Sequence, residues 1–238
     1  MTESEAIWNQ ARTDLVIPTE RGTADVFLWE HSVRVARYAG WIARLPEVET
    51  SSPDEMAVLA AALYHDAGWV VRLREEEIRH EEVFLRPQSE SQIDQAARML
   101  EQSLGKLLPH DSLARALRAI RAPKDRGSDS IEWHVVSDAE NLDEFGIISV
   151  WLMVRRSVWE GKGIQAAIDT WRRKSEYRFW EARLQDSFQF AAVRELAEKR
   201  LAGFDRFMQD LANQHEGGDL EVMRASESPV PELGSPTK

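Results

Sequence analysis

The run Met56-Ala57-Val58-Leu59-Ala60-Ala61-Ala62-Leu63-Tyr64 leaves no polar face on a helix. A helix that is apolar nearly all round belongs at the centre of a fold, covered on every side. Ser52-Pro53-Asp54-Glu55 precedes it and reads as an N-cap serine, a proline at the first helical position and a capping-box glutamate. The covering elements read as helices too. Ile93, Ala96, Ala97, Leu100 and Leu104 form one stripe of a surface helix. Phe190, Ala197, Phe204 and Leu211 recur every seven residues and predict a long helix over 187–214. Further helices are expected near 4–14, 23–44, 75–84, 111–121, 131–145, 147–160 and 163–184, with a loop at 121–130 around Pro123 and Gly127. No alternating Val/Ile/Thr run and no Asn-Gly or Asp-Gly turn signals a strand. The expectation is an all-α helical bundle.

No Pro/Gly linker splits residues 1–215, so a single domain is expected there. From Glu216 the chain turns to Gly, Ser, Pro and Glu with few large apolar residues, and 216–238 reads as a disordered tail. The absence of Cys excludes disulfides, thiolate metal sites and a Cys nucleophile. A net charge of −11 argues against long nucleic acid as a partner. No apolar run is long enough to span a membrane, and the acidic start Met1-Thr2-Glu3-Ser4-Glu5 does not read as a signal peptide. The expected address is the cytoplasm.

Without Cys, a metal site must draw on the six His and on carboxylates, a donor set suited to zinc, manganese, iron, cobalt or nickel. The sharpest place is His65-Asp66, at the end of the apolar run and before Ala67-Gly68, where Gly68 is expected to end the helix. A carboxylate there is costly to bury unless it is paired or bound to a cation. A second pair, His110-Asp111, follows Pro109 and opens a helix, so Asp111 is expected to be a surface N-cap. His31 lies in Glu30-His31-Ser32-Val33-Arg34-Val35, sharing a helix face with Arg34 and Val35. Asp138 interrupts another apolar helix in Ser137-Asp138-Ala139-Glu140-Asn141-Leu142-Asp143.

This ordered set resembles the HD superfamily of metal-dependent phosphohydrolases. The family's His-x-x-Arg-Val is matched by His31-Ser32-Val33-Arg34-Val35. Its Leu-x-His-Asp is matched by Leu63-Tyr64-His65-Asp66, and its Asp-Ala-Asp-x-Leu-Asp-x-x-Gly by Asp138-Ala139-Glu140-Asn141-Leu142-Asp143-Glu144-Phe145-Gly146. The resemblance covers about residues 23–215. It implies an HD-type bundle with the metal between helices, and His31, His65, Asp66 and Asp138 as the ligands. Histidines that other branches carry are replaced by Phe27 and by the Ile120-Arg121-Ala122-Pro123 stretch, which favours one divalent ion (Mn, Fe, Co, Ni, Zn or Mg) over two. His80, His110 or His134 could substitute, His134 best, because it lies one turn before Asp138.

The activity implied is hydrolysis of a small phosphorylated molecule such as a nucleotide, with Asp66, Asp143 or Glu140 orienting the attacking water. Arg34, Lys124 and Arg126 are the expected phosphate contacts, because the guanidinium fork suits phosphate. The alternative is a non-catalytic scaffold that binds metal or nucleotide and works through a partner. Sequence leaves the oligomeric state open.

Overall fold

A computed structural model describes residues 2–19, 22–75, 77–85, 89–122 and 129–220. Its helices are α1 (Glu3–Leu15), α2 (Phe27–Ile42), α3 (Pro46–Glu49), α4 (Glu55–Tyr64), α5 (Gly68–Arg74), α6 (Glu90–Leu104), α7 (His110–Arg121), α8 (Ile131–Asp143), α9 (Ser149–Trp159), α10 (Ile164–Glu176), α11 (Phe179–Asp186) and α12 (Ala191–Glu216). The described strands are β1 (Ile17–Pro18) and β2 (Ala24–Asp25), a short antiparallel pair. The bundle is all-α in its packing, as the periodicity predicts.

The apolar run becomes α4, and α1, α2, α6, α7 and α8 pack around it. Ala57, Val58, Ala60, Ala61, Ala62, Leu63 and Tyr64 are all buried. Four alanines along α4 let its neighbours approach closely, and one contiguous cluster of buried side chains runs from Ile7 to Ala212. The N-cap of α4 is Asp54 rather than Ser52: its carboxylate accepts from the backbone N–H of Met56 and Ala57. Ser52 instead turns the chain with φ 49°. Asp54 also accepts from the Ser112 hydroxyl at 2.7 Å, and its own N–H donates to buried Glu132. Glu132 accepts from Arg115 and Ser130 as well, so one polar knot ties the start of α4 to α7 and α8.

Three expectations change. The predicted helix over 75–84 is absent: α5 ends at Arg74, and a 3-10 turn at His80–Glu82 follows. The segment 163–184 divides into α10 and α11 at Arg178, which takes a left-handed φ of 51°. Trp180 is thereby turned into the core against Phe145 and Phe204. At the other end of the chain, α12 extends through Glu216 to a left-handed Gly217, and residues 221–238 of the expected tail lie outside the described residues. No described helix is long and apolar enough to cross a membrane.

Candidate metal centre

His31 sits one turn into α2, and His65-Asp66 follows the last residue of α4. Packing of α2 against α4 brings them together. The His31 Nε2 lies 3.2 Å from the His65 Nε2, and each of these nitrogens is 3.4 Å from an Asp66 carboxylate oxygen. Among the described residues these three form the group whose ligand atoms converge as a metal-binding set. All are sequestered, with side chains 12% (His31), 7% (His65) and 7% (Asp66) exposed.

The second ring nitrogens decide what the first ones can do. His65 Nδ1 donates to the Ala62 carbonyl at 2.9 Å, and His31 Nδ1 donates to Asp143 at 2.8 Å. When both rings are neutral, each therefore aims an Nε2 lone pair at the same point, beside a carboxylate oxygen. Three acceptors meeting this closely repel one another unless a positive charge lies among them, and imidazole nitrogens held by outer hydrogen bonds suit a divalent cation. Without a cation a proton on His31 fills that role: burial would lower the His31 pKa, but hydrogen bonds and attraction to Asp143 and Asp66 outweigh it and raise it to about 9.

Asp143 is the group behind His31. Besides His31 it accepts from Arg34 twice, Nε to one oxygen at 2.7 Å and Nη2 to the other at 2.9 Å. Burial would raise its pKa, yet His31 and Arg34 hold it at about 2. This corrects two expectations on physical grounds. Asp143 is a weak base at so low a pKa, and its oxygens are already engaged, so it orients His31 rather than activating water. Arg34 is committed to Asp143 and so positions that carboxylate, rather than presenting its fork to a phosphate.

Asp138 is not brought to the cluster. It is fully buried on the other side of α8, where its two oxygens accept from the backbone N–H groups of Gln189 and Phe190 at 2.9 and 3.0 Å. Burial raises its pKa to about 6 in spite of those bonds. The reason is angular: five residues of helix set Asp138 about 140° away from Asp143. Glu140, three residues before Asp143, shares its face instead. Together with His65, Trp133, Val136 and Ser137 it lines a small cleft of about 30 Å³ beside the cluster. A helical-wheel reading of the third motif carries this signal.

The remaining candidates lie elsewhere. His110 and Asp111 have side chains 95% and 97% exposed, and the N-cap of α7 is Pro109 with no side-chain cap, so Asp111 is a first-turn acid and not a cap. His134 stacks edge-on against Trp133, and His80 opens the 3-10 turn beside Glu81. Neither belongs to the converging set. Lys124 and Arg126 lie outside the described residues.

Two features were not foreseen. Phe84, with φ 66°, sets its ring 4.9 Å from His31 and also touches Phe27 and Trp69. A positive φ is unusual for a bulky residue and needs tertiary contacts to hold it. Gly68 opens α5 rather than ending α4, and a Cβ there would sit 2.2 Å from the Gln92 carbonyl oxygen. The glycine lets α5 lie against α6 directly behind the His65-Asp66 turn. A wider cleft of about 640 Å³ lies between α1, the β-hairpin and α2, lined by Arg12, Trp29 and Glu30 among others, and none of the three clustered residues borders it.

Known proteins share this fold. The HD domain family matches residues 28–144. Bacillus subtilis YpgQ, crystallised in complex with ADP, is 22% identical over 89% of this chain and 94% of its own, with a TM-score of 0.56. A predicted HD superfamily hydrolase from an uncultured Thermotogales bacterium is 18% identical over 88% and 91%, with a TM-score of 0.51. A Listeria innocua protein is 16% identical over 91% and 98%, with a TM-score of 0.54. No curated protein matches significantly. The HD match spans both histidines, Asp66 and the whole of α8, and residues 28–144 are an HD domain.

Proposed function

We propose that this chain is a metal-dependent phosphohydrolase acting on a small phosphorylated molecule, with one divalent ion held by His31, His65, Asp66 and Glu140. The observation that carries this reading is the convergence of two imidazole Nε2 atoms and one carboxylate within 4.8 Å of one another in a sequestered pocket. Glu140 replaces Asp138 in the ligand set because it is the α8 acid on the face that meets His65. A divalent ion, when bound, acidifies water and polarises a phosphoryl oxygen. The chain's own residues do the rest. The Ala62 carbonyl and Asp143 fix the two imidazoles with Nε2 facing inward, and Arg34 keeps Asp143 ionised and in place. Phe84 and Trp69 screen the pocket from water on one side. Of the carboxylates first considered for proton transfer, Asp66 and Glu140 stay at the site. The nucleotide class is supported by the ADP bound to YpgQ, which shares this fold.

The test is elemental analysis of protein purified without chelator, followed by turnover on nucleotides and sugar phosphates with each metal added back. About one equivalent of a divalent metal and release of phosphate or pyrophosphate are expected. Metal with no turnover on any phosphorylated compound would make the chain a binding scaffold, and no metal would overturn the reading.

A further inference from the structure

Helix α9 is built like a core helix and placed like a surface one. Seven of its eleven residues are apolar, Val150, Trp151, Leu152, Met153, Val154, Val158 and Trp159, yet none of its residues is buried. A helix with this composition is normally covered. Among the described residues its main neighbours are α10 and the 3-10 turn, and the outer side is exposed. On that side Ile147, Trp151, Val154 and Val158 follow i, i+4, i+7 and i+11 spacing and form one stripe. They are 53, 62, 44 and 74% exposed, with Ile148 beside them at 37%.

We propose that this stripe is the interface of a homodimer, α9 of one copy packed against α9 of a second. Three features favour a second copy as the occupant. First, a two-fold interface must complement itself, and an uncharged apolar stripe does so without a partner of opposite charge. The stripe residues carry no charge, and the segment 147–159 holds no acidic residue in a chain of net charge −11. Of the two cations in the segment, Arg155 points inward, where it pairs with Asp25 at 2.9 Å, bonds the His80 carbonyl and lies over the Phe27 ring at 4.6 Å, and Arg156, two residues past Val154 and so on the far side of the helix from the stripe, reaches the Leu85 carbonyl. Second, the area suffices. The five residues expose roughly 500 Å², at the upper end of what a monomer leaves in its largest apolar patch. Two such faces remove roughly 1,000 Å², the least a specific interface needs, before any polar rim is added. Third, a central Trp flanked by aliphatic residues is the composition of an interface hot spot. A membrane surface fits less well, since amphipathic helices that lie on lipid are flanked by a Lys/Arg-rich face.

Sedimentation velocity of the full chain at micromolar concentration tests the proposal. The wild type is expected at twice the 27.3 kDa chain mass. Trp151→Glu is expected to weaken the dimer at least about tenfold while the helical circular dichroism is unchanged. The chain contains no Cys, so a single introduced thiol reports contact cleanly. Val154→Cys should form a disulfide-linked dimer on mild oxidation, and Glu101→Cys, at an exposed position of α6, should not. A monomeric wild type overturns the proposal, and so does a wild type that instead pellets with anionic vesicles. A dimer indifferent to Trp151→Glu, or cross-linking of Val154→Cys no greater than that of Glu101→Cys, also overturns it.

Discussion

The dipeptide His-Asp occurs twice in this chain, and the two copies share nothing but their letters. His65-Asp66 follows a helix with no solvated face, and its side chains are each 7% exposed. His110-Asp111 opens a surface helix with its side chains 95% and 97% exposed. In the first, the ring nitrogens are fixed by the Ala62 carbonyl and by the meeting with His31. In the second, imidazole and carboxylate lie 3.6 Å apart in water, where such a pair contributes little. Chemistry here is conferred by the elements around a motif rather than by the motif.

The largest effect that sharpens this contrast comes from replacing both residues of one pair. His65→Ala with Asp66→Ala is expected to remove nearly all bound metal and all phosphohydrolase turnover, read by elemental analysis and phosphate release. Chelation should lower the melting temperature of the wild type and leave that of this variant unmoved, because ligand-linked stability exists only where the ligand binds.

Asp143→Asn comes next. It loosens His31 without touching a proposed ligand, and metal affinity should fall about 10–100-fold, measured by competition with a chelating dye. Asp138→Ala should do the reverse. Metal stoichiometry is kept, while two buried N–H groups lose their acceptor and the fold weakens by about 2 kcal/mol in denaturant titration. If Asp138→Ala lost the metal and Asp143→Asn kept it, the two faces of α8 would have to be exchanged. The smallest effect belongs to the second pair. His110→Ala with Asp111→Ala should keep full metal content and change stability by no more than about 0.5 kcal/mol.

Much of this was legible from residues alone, and the failures have physical causes. The centrality of α4 followed from its unbroken apolar face. His31, His65 and Asp66 stood out as polar residues in apolar helices, and the structure brings those three together. Asp138 stood out for the same reason, but a buried acid can be answered by backbone N–H groups as well as by a cation, and here Gln189 and Phe190 supply them. Glu140 was expected only to orient water, because the motif match put Asp138 in the ligand set, whereas its helical angle places it on the face of Asp143 and beside His65. The expected helix over 75–84 failed for want of tertiary information. Its Glu-rich stretch has good helix propensity, yet burial of Ile78 and Val83 and the packing of Phe84 on His31 require a turn.

The bond from Asp138 to the start of α12 bears on where this protein can be cut. The HD match stops at residue 144, and a fragment trimmed to it would retain every proposed ligand. It would also strip the Gln189 and Phe190 donors from a fully buried carboxylate and the Ser187 carbonyl from Asn141. Arg200, which donates to the Leu142 carbonyl where α8 ends, would go as well. The helix that carries Glu140 and Asp143 is thus clamped from behind by residues the family's boundary leaves out. A fragment meant to fold on its own is expected to need the start of α12, and the third motif's first acid is the rivet joining the shared domain to the helices that follow it.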